Sequence, residues 1–379
     1  MIHFRHGQGD FHMRKYALFL LAAAVLSSMA AAQAVIENPA KPLSEKAGRV
    51  VTLKEEMRIE DTGGDFFFKE TYCPRVSPRG DIYIQDGQEQ ALQFDANGRF
   101  VRNLFKKGQG PGELTGLFDI WASSNKLYLL GYPPKLLIFG YDGRLEKELS
   151  LRGTGSAARF IRADTSRIII RNRGRLDPTA GGGLMDIPQD IVEISTNDGT
   201  ARTLGSFPIR AFVEVYEGGA TGMTAWNQLQ TVSLDENTLI LNYTPEYLLE
   251  AFVLDKGTVV RRFRRPYTRV KRSGGGGISS SGGSAPPAPE FQPDIFYLHV
   301  VDGKLWVQTS TVAEGKGILF DVFDPDGRYV DNFYIQSLKK DTSGKPANML
   351  LTISGGFAYF SDRTQDDLIV IKKCRLVGL

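Results

Sequence analysis

Asp81-Ile82-Tyr83-Ile84, followed by Phe94-Asp95-Ala96-Asn97-Gly98-Arg99, reads as a short apolar strand and a second strand ending in a glycine turn. Asn-Gly and Asp-Gly pairs tolerate the positive φ that a tight hairpin needs, so the two strands should run antiparallel. The arrangement returns at Lys126-Leu127-Tyr128-Leu129 with Asp142-Gly143, and the offset from tyrosine to turn glycine is 15 residues both times. Successive centres at Tyr83, Tyr128, Ile169, Ile240, Trp306 and Ala358 are separated by 45, 41, 71, 66 and 52 residues. Asp198-Gly199, Asp255-Lys256-Gly257 and Asp324-Pro325-Asp326-Gly327 are the turns of the third to fifth copies. One more strand precedes each pair, as at 117–122, and one follows, as at 100–105 and 145–151. Four antiparallel strands in a unit of roughly 45 residues make a propeller blade, whose sheet stacks on its neighbours around an axis.

The last copy supplies three strands, at 349–354, 357–360 and 367–374. Arg49–Ile59 is expected to provide the missing outer strand and to cover an edge that would otherwise stay open. The expected fold is therefore all-β: a six-bladed β-propeller of four-stranded antiparallel blades, the ring closed by an N-terminal strand completing the last blade.

After the first unit comes Gly108-Gln109-Gly110-Pro111-Gly112-Glu113-Leu114. With the Phe94 to Arg99 turn before it, this segment resembles the Gly-x-Gly-Pro-Gly-Glu signature of bacterial secreted six-bladed β-propellers related to the NHL-repeat group. The resemblance covers the chain after its leader, is strongest over 72–151, and is weakest in units three and four, where insertions stretch the repeat. It implies a fold more firmly than a function. A phosphate-binding reading of the same glycines fails on context, because Pro111 and a following strand stand where a helix N-terminus would be needed. Asp95 to Gly98 and Asp324 to Gly327 lack the downstream carboxylates of a calcium loop and read as hairpin turns.

The chain has 379 residues, 42% hydrophobic, with 41 Gly and only two Cys and four His. Those counts exclude a disulfide framework and a cysteine-based zinc site. Met13-Arg14-Lys15, the apolar run from Tyr16 to Leu26, and the small residues Ala30-Ala31-Ala32 or Ala32-Gln33-Ala34 have the form of a signal peptide over 1–34. Residues 1–12 read as an upstream mis-start. What remains, 35–379, is expected to be a single propeller with a flexible loop at 273–290, periplasmic or secreted, monomeric, and without a stable membrane span after cleavage. It carries 43 basic against 42 acidic residues, which gives no support to nucleic-acid binding. His299 is its single histidine.

Antiparallel order places the connections between second and third strands, and those between successive units, on one face. On that face fall the stretched segments 173–190, 209–224 and 268–294, read as loops, and the Gly108 to Leu114 crossing. Insertions concentrate where function usually does, so this face is expected to bind a protein, peptide or glycan. Candidate ligand-binding residues at its axial end are Arg75, Asp119, Arg159, Arg162, Trp226, Asn227, Asp294, Tyr297 and Asn348. The run from Arg261 to Arg272 holds seven cations in twelve residues and reads as a solvated edge strand, with attraction to a polyanion or anionic lipid as the functional alternative. Cys73 and Cys374 could bridge the ring where it closes.

No Gly-x-Ser-x-Gly elbow is present, and a nucleophilic triad would rest on His299 alone. A non-enzymatic binding module without cofactor is the leading reading. The alternative is a calcium-dependent hydrolase similar to gluconolactonase-like propellers, with Asp119, Asn227, Asp294 and Asn348 as an oxygen ring for Ca2+.

Overall fold

The computed structural model describes residues 34–61, 64–72, 74–151, 158–173, 182–215, 221–272, 289–336 and 349–379. The expected leader up to residue 33, Cys73, Asn348 and most of the 273–290 tract lie outside them. Among the described residues the regular structure is all strand. Two strands open the chain, β1 (Val35–Glu37) and β2 (Arg49–Ile59).

Four-stranded antiparallel order follows in β3 (Arg75–Val76), β4 (Ile82–Asp86), β5 (Gln90–Phe94) and β6 (Phe100–Asn103). It recurs in β7 (Gly116–Ala122), β8 (Lys126–Tyr132), β9 (Lys135–Gly140) and β10 (Leu145–Ser150). The next sheet has five strands, β11 (Arg159–Ala163), β12 (Ile168–Arg173), β13 (Gly183–Ile194), β14 (Ala201–Val215) and β15 (Thr221–Ala225). Then come β16 (Gln230–Ser233), β17 (Thr238–Asn242), β18 (Leu249–Val253) and β19 (Thr258–Arg264), with β1 added in parallel outside β19. The chain finishes with β20 (Ile295–Val301), β21 (Lys304–Ala313), β22 (Gly317–Phe323) and β23 (Tyr329–Ile335), and with β24 (Met349–Ser354), β25 (Phe357–Arg363) and β26 (Ile369–Val377).

β2 does two things. Arg49 to Val51 run parallel to β23, and from Thr52, opposite Val377, to Ile59, opposite Ile371, the strand pairs antiparallel with β26. It thus lies where the repeat arithmetic puts the outer strand of the last unit, and it also ties that unit to the one before.

Second and third strands are apolar almost throughout, and β4, β9 and β22 are buried at every position, because sheets cover both of their faces. Fourth strands such as β6 alternate half-buried and exposed residues. The buried side chains gather in clusters between neighbouring sheets, for example Leu136, Ile138, Phe160 and Ile168 between the second and third units. Another joins Ile59, Tyr359 and Ile371 to Ile82, Leu92 and Phe94, so the last sheet packs on the first.

The Asp-Gly turns behave as hairpins. At Asp95 the side-chain Oδ1 accepts the N–H groups of Asn97 and Arg99, both at 2.9 Å, while Gly98 donates to the Asp95 carbonyl at 3.0 Å with φ at +81°. Asp324 and Gly327 repeat this geometry. Those carboxylates are occupied by backbone, which is turn chemistry rather than cation binding.

Two expected loops are corrected. Gly183 to Asp190 and Ile209 to Thr224 are largely strand, because β13 and β14 continue as one long hairpin, with Gly183 opposite Val213, and β15 pairs along the far side of β14. Phe207, Ile209, Ala211 and Val213 are buried in alternation, so the extension has an apolar side that packs rather than a free backbone.

Candidate functional site

The β13–β14 extension, the segment after β15, the β17–β18 turn and the approach to β20 meet in a cleft of about 560 Å³. Its walls include Trp226, Tyr243 and Phe291 with Pro208, Pro245 and Pro289, and its rim carries Asp186, Arg210, Glu246, Arg269 and Glu290. All these segments belong to the face that the sequence marked as insertion-bearing. Proline and aromatic walls lose little conformational entropy on binding, and a charged rim supplies orientation.

Trp226 is held by its own N–H, which donates to the Arg210 carbonyl at 2.8 Å, while its indole Nε1 is shut off from solvent and has no partner among the described residues. Asn227 accepts from the Arg210 N–H at 3.0 Å and donates to the Tyr243 carbonyl, so it fixes the cleft rather than faces a ligand. Arg210 pairs with Asp186 at 2.9 Å in an exposed position, where such a pair is worth little to stability. Arg269 bonds Asp294 at 3.1 Å, lies 3.5 Å from Glu246, and stacks 4.9 Å above the Phe291 ring. Burial pushes the Asp294 carboxyl up, against the pull of Arg269.

The other candidates separate. Asp119 accepts from the Ile120 and Phe160 N–H groups at 2.9 and 2.8 Å, stapling the second unit to the third, and Arg75 lies 3.8 Å from it and 4.7 Å above Trp121. Arg159 sits over the Tyr72 ring at 5.7 Å. Tyr297 is exposed on β20. Arg162 is corrected: it bonds Asp164 at 2.8 Å and lines a cavity on the opposite face. That cavity, of about 780 Å³, is walled by turns joining first and second strands, with Ser77, Ser123, Ser354, Trp121 and Phe357 among its residues. β11 runs from one face to the other, which carries Arg159 and Arg162 to different ends.

Of the residues named for calcium, Asn348 lies outside the described residues. Asp119, Asn227 and Asp294 are engaged by backbone groups or Arg269, and among the described residues no three His, Cys, Asp or Glu side chains converge as metal ligands.

Residues 60–160 match a family model described as a 6-bladed beta-propeller. A crystal structure of a Bacteroides fragilis protein thought to be exported superposes with a TM-score of 0.52 at 12% identity, covering 90% of this chain and 99% of that one. The chain has a β-propeller fold. No curated protein sequence matches it. Among the described residues no helix is long and apolar enough to cross a membrane.

Within this propeller the glycine signature is a locked crossing. Gly110 donates to Glu113 at 2.9 Å, Gly112 donates to Glu148 at 2.6 Å, and Lys135 reaches both Glu148 and the Gly110 carbonyl. Although burial opposes it, the Gly112 N–H and Lys135 hold the Glu148 carboxyl below its ordinary range.

Six of the seven cations of the basic run are paired within the chain. Arg261, Arg262, Arg264, Arg265, Arg269 and Lys271 each find a carboxylate at 2.6 to 3.8 Å: Asp326, Glu250, Glu37, Asp321, Asp294 and Glu290. The edge strand expected to be solvated is covered by β1. Arg265 and Asp321 form a buried pair that the sequence did not mark, enclosed by Tyr247, Tyr267 and Tyr329. Cys374 carries a free, buried thiol.

Proposed function

We propose that the chain is an exported six-bladed propeller whose blades are built on four antiparallel strands, the third extended by β15, and which is closed where β2 completes the last blade. We propose further that it acts as a non-enzymatic binding module in the periplasm or outside the cell. Its partner is a protein, peptide or glycan whose extended segment lies in the Trp226 cleft. The observation that carries this reading is the cleft itself, where Trp226, Tyr243 and Phe291 with three prolines form apolar walls inside a charged rim.

The test is affinity capture from the native envelope with the wild-type chain and with Trp226→Ala and Phe291→Ala. Truncating a central aromatic anchor should weaken capture of the partner by roughly thirtyfold. Equal capture by all three proteins would overturn the assignment to this cleft. Calcium-dependent lactone hydrolysis by the purified chain would carry the hydrolase reading instead.

A further inference from the structure

Arg159 on β11 and Arg171 on β12 are direct cross-strand partners. Facing residues of an antiparallel pair project to the same side of the sheet, and like charges there are destabilising. Such a pair is normally relieved by a carboxylate. Elsewhere in units three and four relief is plain: Arg162, Arg167, Arg202, Arg210 and Arg262 all bond an acidic side chain.

Among the described residues neither Arg159 nor Arg171 has an ion pair. Arg159 donates to its neighbouring Ala158 carbonyl at 3.2 Å and stacks on Tyr72, and Arg171 donates to the Leu229 carbonyl. The carboxylate that acts on Arg171 is Asp119, whose two oxygens already accept backbone N–H groups and which also faces Arg75. Burial first, and Arg159 second, draw the Arg171 guanidinium below its ordinary pKa, with Asp119 opposing. Among the described residues the Arg159 and Arg171 guanidinium groups thus face each other with Asp119, already committed to backbone and Arg75, as the carboxylate acting on Arg171. Arg75, Arg159 and Arg171 stand on first and second strands of units one and three, with Asp119 on the first strand between them.

We propose that Arg159 and Arg171, with Arg75 beside them, bind a small oxyanion of the phosphate, sulfate or polycarboxylate class. A guanidinium presents a planar fork of donors that matches such oxygens in pairs, and two forks on one side of a sheet can hold one anion between them. Tyr72 backs the Arg159 guanidinium and limits its rotation. The site does not depend on the Trp226 cleft.

The test is titration of the full-length chain with inorganic phosphate, sulfate and citrate, read by calorimetric binding and by the unfolding midpoint, against sodium chloride at matched ionic strength. One equivalent of at least one oxyanion should bind and raise the midpoint saturably, and the preferred anion separates a phosphate or sulfate site from a polycarboxylate site. R159Q and R171Q should each weaken binding by about tenfold or more. Without anion, both variants should unfold at or above the wild-type midpoint, because a like-charge repulsion is removed. A structural arginine would instead lose stability on replacement, and that result would overturn the proposal. No binding to the wild-type chain, or an effect no larger than that of sodium chloride, would also overturn it, whether or not the variants fold.

Discussion

Asp321→Asn removes one charge from the centre of the contact between units four and five and almost nothing else. Asp321 has no exposed surface. It accepts the Tyr247 and Tyr329 hydroxyls, both at 2.7 Å, and Arg265 Nε and Nη2 at 2.8 and 2.6 Å. The Arg265 side chain is itself 9% exposed and its guanidinium is ringed by three tyrosines at 5.0 to 5.2 Å, so no water shell can replace the carboxylate. Leaving a buried cation unpaired costs roughly 3–5 kcal/mol. With about 345 residues in the expected propeller, 35–379, and about 2.1 cal/mol/K of unfolding entropy each, 1 kcal/mol shifts the midpoint by roughly 1.4 °C. D321N should therefore unfold about 4–7 °C below wild type by differential scanning calorimetry. D321L/R265M, which removes both charges, should lose less than either single variant. A D321N midpoint within about 1 °C of wild type would refute the reasoning, since the pair would then be solvated or idle.

Acid should expose His299. Burial pushes it down to about 4, so it is neutral in the fold and takes up a proton on unfolding below its ordinary 6.5. Stability is complete above pH 6.5 and should fall by roughly 2–3 kcal/mol as pH drops towards 4, a limb that urea midpoints would show and His299→Gln would flatten. Asp95→Ala loses the Oδ1 acceptor of two turn N–H groups and should cost about 1–2 kcal/mol in the same assay, without changing ligand capture. Cys374, pushed up to about 11 chiefly by burial, should react with a thiol reagent on the order of a hundredfold more slowly in the native protein than in denaturant.

Much of the architecture was legible because hairpin turns and buried strands are local signals. Asp95 to Gly98 makes the turn its residues prescribe, and the three strands of the last copy implied the β2–β26 pairing by subtraction. The β13–β14 extension carried a signal too, the alternation of Phe207, Ile209, Ala211 and Val213, but Pro208 and the nearby glycines read as loop residues. Pro188 and Pro208 are accommodated because they face each other across the hairpin.

The sites were less legible, since their meaning lies in partners distant along the chain. Asp119, Asn227 and Asp294 have the residue types of ligands, yet their oxygens hold neighbouring backbone or Arg269. The Arg261 to Lys271 cations looked unneutralised because Glu37 and Asp321 lie far away in sequence. Conversely, Arg171 stood in an ordinary strand, and only its register with Arg159 reveals two facing cations.

The measurement that bears most directly on the binding account is photo-crosslinking in the native envelope. A photoreactive phenylalanine analogue would replace Phe291 in the Trp226 cleft or Ser124 at the cavity on the opposite face. The account predicts a discrete partner crosslinked from position 291 and none from position 124. Crosslinking from position 124 alone would place the binding surface on the face of the short turns and contradict it.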